Sequence, residues 1–453
     1  MSRASFVFDA GRCTGCDACR LACTVENRLD PASSWRQVLT FNGRRHPAAP
    51  VFHLSLACNH CASPACLAAC PAGAYSSDAA TGAVLLDSGR CIGCRYCAWA
   101  CPYDAPRFEI ARGVMTKCTF CAERLREGAA PACSALCPTG ALGFARLEER
   151  ELTRGLTVFP ETGLGPSLRI VPVGAGRLMP EGLDASQDAA VTVASTVPRR
   201  VTLRHEWTLV SFTFLAALLV AWVGGAVAGA PRPPWALFAA GALAALGVSA
   251  AHLGRPERAW RALLHLRASW LSREIAAFLL FAGLTTAWLT MAQPSQALGW
   301  LAAALGLATL ACADRVYDLA LRPAHARPHS AEVVLIGAFL AALIAGNGVI
   351  ALGVGLARLA LYVRRKGGRR RAGEDARPAV SLARAIVGFA LPLAAWLLGA
   401  QVIAIAGAIA GDLIDRCEFY AELEFESPQR RLELGLACRS PDPHRPSHGG
   451  IST

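Results

Sequence analysis

Cysteines at four repeated spacings are the residues best able to do chemistry in this sequence. Of nineteen cysteines, sixteen fall between Cys13 and Cys137. Cys13, Cys16, Cys19 and Cys23 follow C-x2-C-x2-C-x3-C, and Cys91, Cys94, Cys97 and Cys101 repeat that spacing. Cys58, Cys61, Cys66 and Cys70 stretch the middle gap to four residues, while Cys118, Cys121, Cys133 and Cys137 carry an eleven-residue insertion. Pro71, Pro102 and Pro138 follow the last cysteine of three tetrads. This is the bacterial ferredoxin run, in which three close thiolates hold one [4Fe–4S] cluster and the fourth reaches another. Sixteen thiolates therefore imply four [4Fe–4S] clusters, an arrangement that conducts electrons singly.

Two other uses of cysteine compete. Zinc ribbons also use C-x2-C pairs, but as two separated pairs, without a third cysteine three residues on and a fourth beyond it. Extracellular disulfide scaffolds do not space cysteines this tightly four times over, and metal-bound thiolates point to assembly in a reducing compartment. Cys312, Cys417 and Cys438 have no partner at ligand spacing and read as incidental thiols.

The elements that must carry these ligands change character along the sequence. At 453 residues it exceeds one ordinary domain. Residues 1–182 hold the tetrads in short, Gly- and Pro-punctuated segments, residues 183–204 read as a linker, and residues 427–453 as a disordered tail. Between them, residues 205–426 consist of apolar runs of membrane-spanning length: Trp207–Gly229, Trp235–Ala251, Ile275–Ala292 and Ala297–Ala313. Two longer runs, Ala331–Val363 and Val380–Gly411, overshoot one bilayer core and are broken at Asn347-Gly348 and Gly399-Ala400-Gln401. Eight spans are expected, with six long tilted ones as the alternative. A soluble helical core is disfavoured because the gaps, not the runs, hold the charges. Trp207, Trp235, Trp270 and Trp300 sit near span ends, as interfacial aromatics do.

A net charge of +12 could mean nucleic acid, but its positions indicate topology. Arg255, Arg258, Arg261, Arg267 and Arg273 fall in one gap, Arg315, Arg322 and Arg327 in another, and Arg364, Arg365, Lys366, Arg369, Arg370 and Arg371 in a third. With eight spans these share a face with the cysteine-bearing half, and the positive-inside bias puts that face in the cytoplasm. Cys13 leaves no room before it for a signal peptide, and Met1–Arg12 hold no twin-arginine motif. The alternative is the outer side of an inner membrane, reached with a partner that carries such a signal.

Electron-carrying clusters joined to a membrane domain imply exchange with the quinone pool. His205, His252, His265, His325 and His329 all fall at span ends or in gaps, so haem is not expected and a cluster must face the quinone directly. His252 closes the second span and Glu274 opens the third. A titratable imidazole beside a carboxylate suits two-proton quinol chemistry, and ionisable groups at membrane depth are functional candidates. The plainer alternative is a solvated His252, with Glu274 capping a helix and pairing with Arg273.

On these residues the chain resembles the dimethyl sulfoxide reductase family of complex iron–sulfur molybdoenzymes, with two of its subunits fused. "RCTGC", "CNHC" with "PAC", "CIGCRYC" running into "ACPYDAP", and "MTKC" with "CPTGAL" resemble the four-cluster electron-transfer subunit. "HEW" at His205, "HLGRPERAW" at His252, "ASWLSREIA" around Glu274, "RVYD" at Arg315 and "GDLIDRCEFYA" at Gly411 resemble its membrane anchor. The resemblance implies a quinol site at His252 and Glu274, eight spans and no haem. It implies that the first tetrad shares two clusters with the fourth, and the second two with the third. Cys97 stands where some relatives carry another residue, which implies four [4Fe–4S] clusters and no [3Fe–4S] centre. The family normally keeps these halves in two polypeptides, and the stretch between Asp314 and Asp412 is shorter here.

The fold expected is an α+β tandem of ferredoxin-like units related by a pseudo-twofold, followed by an all-α polytopic membrane domain of about eight helices. No residue set suits substrate chemistry, so catalysis is expected on a separate molybdopterin subunit. Three functions are open at this point. One passes electrons from menaquinol or ubiquinol to dimethyl sulfoxide or a related S- or N-oxide. The second is the same wire reversed, oxidising sulfite and reducing quinone. The third is a membrane-bound redox sensor.

Overall fold

The computed structural model describes residues 2–41, 51–152, 162–171, 202–319, 329–371, 377–423 and 427–429. His325, Arg322, Arg327, Cys438 and nearly all of the expected linker and tail lie outside them.

The cysteine-bearing half is built from short pieces because ligand loops and turns leave little room for regular structure. In sequence order these are β1 (Arg3–Asp9), α1 (Ala18–Glu26), β2 (Gln37–Phe41), β3 (Phe52–Leu56), α2 (Ala65–Ala69), β4 (Tyr75–Ser77), β5 (Val84–Leu86) and α3 (Tyr96–Ala100). There follow β6 (Arg107–Glu109), β7 (Val114–Thr116), α4 (Ala122–Arg126), α5 (Ala132–Ala135), β8 (Leu142–Leu147) and β9 (Leu168–Val171). The β1 strand is central to a three-stranded sheet, antiparallel to β8 and parallel to β9. Hairpins β2–β3, β4–β5 and β6–β7 complete the β structure. Helices α1 and α5 pack together, as do α2 and α3, so each ferredoxin-like unit carries its ligands on one helix pair. Phe6, Phe8, Phe120 and Leu54 fill the core around the first pair and are almost fully buried.

In the membrane half, α6 (Leu203–Val227), α7 (Trp235–Ala251), α8 (Trp270–Thr290), α9 (Gln296–Val316), α10 (Val333–Ile344), α11 (Gly348–Arg371), α12 (Pro378–Ala385), α13 (Leu391–Leu397) and α14 (Gln401–Glu422) run in order. A π-helical stretch, Ile386–Ala390, joins α12 to α13 without a break. The breaks at Asn347 and at Gly399-Ala400 fall where the sequence placed them. By length and apolar composition three described helices can cross a membrane: Glu206–Val227, Gln296–Val316 and Pro378–Leu397. The number rises to four if α7 and the 3-10 helix Pro256–Leu263, bent by 107°, count as one span. Eight spans are more than these criteria return. Trp207, Trp235 and Trp300 are exposed near helix starts, and Leu237, Leu280, Leu301, Leu397 and Ile403 stand out from the bundle as a lipid-facing belt would.

One expectation is corrected. The third basic group is not a loop: Arg365 and Lys366 lie inside α11 and are buried in ion pairs with α14, because their partners are acidic residues on a facing helix. Of the expected tail only Ser427–Gln429 are among the described residues; Ser427 is buried, and the three line a small pocket with Trp35, Gln37 and Tyr103 of the cluster half.

The segment after α7 joins the two halves. Gly254 N–H donates to the Gly93 carbonyl at 3.4 Å and Arg255 N–H to the Ile92 carbonyl at 3.1 Å. Gly93, Gly113 and Gly254 meet backbone to backbone, where any Cβ would collide, and Gly93 and Gly113 have positive φ that glycine adopts freely. Arg258 reaches the Ser88 and Cys91 carbonyls at 3.0 Å each, and Arg255 Nε the Arg112 carbonyl at 2.8 Å. Basic residues read as topological thus bind the cluster half directly.

Candidate functional site

The sixteen clustered thiols are gathered into four groups, each with three cysteines from one tetrad and one from another. Cys91, Cys94 and Cys97 lie within electrostatic reach of Cys70. Cys58, Cys61 and Cys66 neighbour Cys101. Cys118, Cys121 and Cys133 neighbour Cys23, and Cys13, Cys16 and Cys19 neighbour Cys137. Each fourth cysteine comes from a different tetrad, the first exchanging with the fourth and the second with the third. Closer neighbours between groups give an order: Cys97 is near Cys66, Cys118 near Cys58, and Cys19 near Cys133.

The donor chemistry fits iron–sulfur clusters, and the protein carries a 4Fe-4S domain. Burial pushes the Cys23 and Cys66 thiols up to about 12, a cost to the thiolate form that a bound cluster would offset. Backbone N–H groups point at the sulfurs of Cys58, Cys70, Cys91, Cys118 and Cys137 at 3.3–3.5 Å, stabilising negative sulfur.

Charges buried among the thiols were not anticipated from sequence. Arg36 is 2% exposed and near Cys19, Cys23, Cys118 and Cys133, and its Nη1 donates to Ser55 Oγ at 3.0 Å. That hydroxyl lies 3.4 Å from Cys19 Sγ. Lys117, also buried, donates to the Val84 and Cys118 carbonyls. His60 stacks on Phe120 with ring centroids 4.3 Å apart, and burial first, then Lys117 and Arg36, keep it neutral. A fixed cation favours the reduced, more negative form of a nearby cluster. Arg36→Gln is therefore expected to lower the potentials of the two groups it faces by on the order of 50–100 mV. Redox-titrated electron paramagnetic resonance checks this; four unmoved midpoints would refute it.

His252 and Glu274 line one cavity of about 110 Å³ between the two halves. Cys94, Tyr96 and Trp99 form its wall on the cluster side. The helix geometry explains the meeting. His252 is the C-cap of α7, and the segment that follows returns over the cluster half, with Ser269 Oγ donating to the Ala69 carbonyl at 2.8 Å and His265 Nδ1 2.8 Å from the Cys70 carbonyl. Ser269 then caps α8, and Glu274 projects from its second turn, 3% exposed.

This placement differs from the plainer alternative. The guanidinium of Arg273 turns away to the Leu266 and Arg267 carbonyls, so it does not pair with Glu274. His252 is only partly exposed and lines the cavity, and its Nδ1 has no well-formed hydrogen bond, only the nearby Ser249 backbone. No direct His252–Glu274 hydrogen bond is found among the described residues. Sequence reasoning missed Tyr96, whose hydroxyl donates to the Val316 carbonyl at 3.0 Å, and Thr213 and Tyr317, which line the far wall. Their spacing signals packing only.

Residues 50–147 match a family described as a 4Fe-4S dicluster domain, and residues 202–358 one described as the DMSO reductase anchor subunit (DmsC). The sequence is 38% identical to the B subunit of anaerobic dimethyl sulfoxide reductase from Haemophilus influenzae, in a match covering 39% of this protein and 93% of that one. It is 41% identical to the subunit of that name from Escherichia coli, over 33% of this protein and 77% of the relative. Thiosulfate reductase electron transfer subunit PhsB of Salmonella typhi is 41% identical over 32% of this protein and 77% of its own length.

Proposed function

We propose that this chain, which belongs to the dimethyl sulfoxide reductase family as a fusion of its iron–sulfur electron-transfer subunit with its membrane anchor, takes electrons from quinol in the membrane and delivers them to a separate molybdopterin-containing catalytic subunit. The terminal acceptor in this reading is dimethyl sulfoxide or a related S- or N-oxide. The observation that carries it is the single cavity shared by His252, Glu274 and Cys94, which puts two proton-handling groups and a cluster-ligand candidate around the same space.

Four [4Fe–4S] clusters on the sixteen cysteines would carry single electrons, and menaquinol or ubiquinol would supply two electrons and two protons. The protein's own residues do the rest. Imidazole and carboxylate at His252 and Glu274 hold the headgroup by hydrogen bonds and accept its protons. Tyr96 and Trp99 fill the short distance between headgroup and Cys94 with packed side chains, and the Gly93–Gly113–Gly254 contact excludes water from the seam. The backbone N–H groups and Arg36 bias the potentials along the order of cysteine groups. At the other end Cys16 is exposed, as are Leu21 and Val25 on α1 and Leu136 at the C-cap of its paired α5, apolar surface suited to a docked catalytic subunit.

We read the molecule as an inner-membrane protein of eight spans with its cluster half on the cytoplasmic side. Support comes from the basic segment Arg255–Arg273; the buried cations of α11 no longer count toward it. The test is an assay of membranes containing this protein and its catalytic partner. Quinol oxidation driven by dimethyl sulfoxide, trimethylamine N-oxide, thiosulfate or tetrathionate is expected. Sulfite-dependent quinone reduction in its place would reverse the direction, and no response to any of them would overturn the reading.

A further inference from the structure

Buried charge is costly in a membrane bundle, and α11, α12 and α14 enclose a run of it away from the cavity. Arg358, Arg384, Asp412 and Asp415 are fully buried. Arg358 Nη2 lies 2.6 Å from Asp412 Oδ1, and Arg384 Nη2 3.2 Å from that atom and 3.3 Å from Asp415 Oδ2. Outward along α14, Arg365 bridges Asp415 and Glu418, and Lys366 bridges Glu418 and Glu422 at 2.7 and 2.8 Å. Asp412, Asp415, Glu418 and Glu422 thus form one face of α14, about 15 Å long at 1.5 Å per residue. Glu422, 14% exposed, is its outer end.

Arg416, the residue after Asp415, links the run to the cavity wall. Ser330 Oγ donates to Asp415 Oδ1 at 3.1 Å, and the next residue's carbonyl accepts from Arg416 Nη1 at 3.1 Å. Arg416 Nε donates to Thr213 Oγ1 at 3.2 Å, and its guanidinium lies over the rings of Tyr317 and Tyr420, whose hydroxyls hydrogen-bond each other. Thr213 and Tyr317 line the cavity with Glu274, whose charge Arg416 is close enough to feel.

A structural strut is the plain alternative, since five cations (Arg358, Arg365, Lys366, Arg369 and Arg384) pair with the four anions on α14. Buried ion pairs, however, add little stability over apolar packing. Two features exceed what a strut needs. Arg358 Nη1, Arg384 Nη1, Arg416 Nη2 and Asp412 Oδ2 are buried with no hydrogen-bond partner among the described residues, and such leftover groups are where interior water is held. Gly388 and Gly411 touch each other and the Arg384 guanidinium, so any side chain there would displace it, and Gly388 sits in the π-helical stretch. Pro392, lacking an N–H, cannot bond the Gly388 carbonyl in α geometry. π-Bulges recur at functional positions.

We propose that this line of groups is a proton path from the quinone cavity, past Tyr317 and Tyr420, along Arg416 to Ser330, then through Asp415 and Glu418 to the surface at Glu422. It rests on the quinol reading above. Each quinol O–H bond broken yields one electron to the cysteine-bound clusters and one proton to the path; two of each leave quinone. The exit is on the cluster side, because Phe419, Tyr420 and Leu423 at that end of α14 pack with Ala69, Tyr96 and Trp99.

The test uses the complete complex in oriented vesicles, with Glu418→Gln and, at the tolerant outer edge, Glu422→Gln. Quinol-driven turnover should fall about tenfold or more in Glu418→Gln and its solvent deuterium isotope effect should rise. Glu418→Asp should restore part of the rate. A pH-indicating dye on the cluster side should report protons lagging behind cluster reduction in both Gln variants. Electrons given to the clusters by reduced viologen should pass at the wild-type rate, which separates a blocked path from a misassembled complex. If Glu418→Gln does not assemble, Glu422→Gln decides alone. Unchanged proton release and isotope effect in Glu422→Gln, or a viologen-driven rate that falls with the quinol-driven one, overturns the path. Wild-type protein whose clusters quinol does not reduce would instead remove the quinol reading, and the path with it.

Discussion

Replacing His252 with alanine is expected to cut quinol-driven electron entry by roughly a hundredfold or more, the lower range of what a positioned acid–base group contributes. The clusters should assemble as before, because His252 caps the end of α7 and is not one of the sixteen candidate cysteine ligands. Its Nδ1 lacks a good partner, and it faces the cavity with Glu274. A quinol hydroxyl would supply that missing partner. Loss of the imidazole should therefore raise KM as well as lower kcat, whereas a structural defect would also slow viologen-driven reduction. Stopped-flow measurement of cluster reduction by quinol is the check. Wild-type rates in His252→Ala would return this histidine to ordinary packing.

Cys94→Ala should have the second large effect. Cys94 is the member of its group that lines the cavity, and it stands between the headgroup space and the remaining cysteines. Its loss is expected to remove or convert one cluster and reduce quinol-driven turnover to background, while three of four paramagnetic signals persist. Confinement to one signal follows from packing, because the core around Cys91 and Cys97 is distinct from the one holding Cys19, Cys23 and Cys133. Four unaltered signals would mean that Cys94 is not a ligand. Loss of all four would mean that the groups do not fold independently.

The three close cysteines of each group were legible before any coordinates because their spacing is a local property, set by a few bonds between donors; which distant tetrad supplies the fourth was only what the resemblance implied. The interruptions at Asn347 and Gly399 were legible for a similar reason: glycine and asparagine end helices by their own backbone preferences. His252 and Glu274 could be paired because both close the same short connection. Arg36, Lys117 and His60 could not be found, since nothing in their immediate sequence separates a buried cation from a solvated one. The same blindness made Arg365 and Lys366 look like loop charges. Their acidic partners lie some fifty residues on, and only the packing of α11 against α14 brings them together. The burial of Ser427 was hidden likewise, because the pocket it lines is shared with Trp35 and Tyr103, far off in sequence.

The glycine contact at residues 93, 113 and 254 also constrains traffic. Where one stretch of backbone lies flush on another, a long isoprenoid substituent cannot be threaded in from the aqueous phase along that margin. An exchanging carrier would have to slip sideways out of the acyl chains, between neighbouring helices, with its ring leading. Bulky carriers and inhibitors should then compete according to how well they partition into lipid.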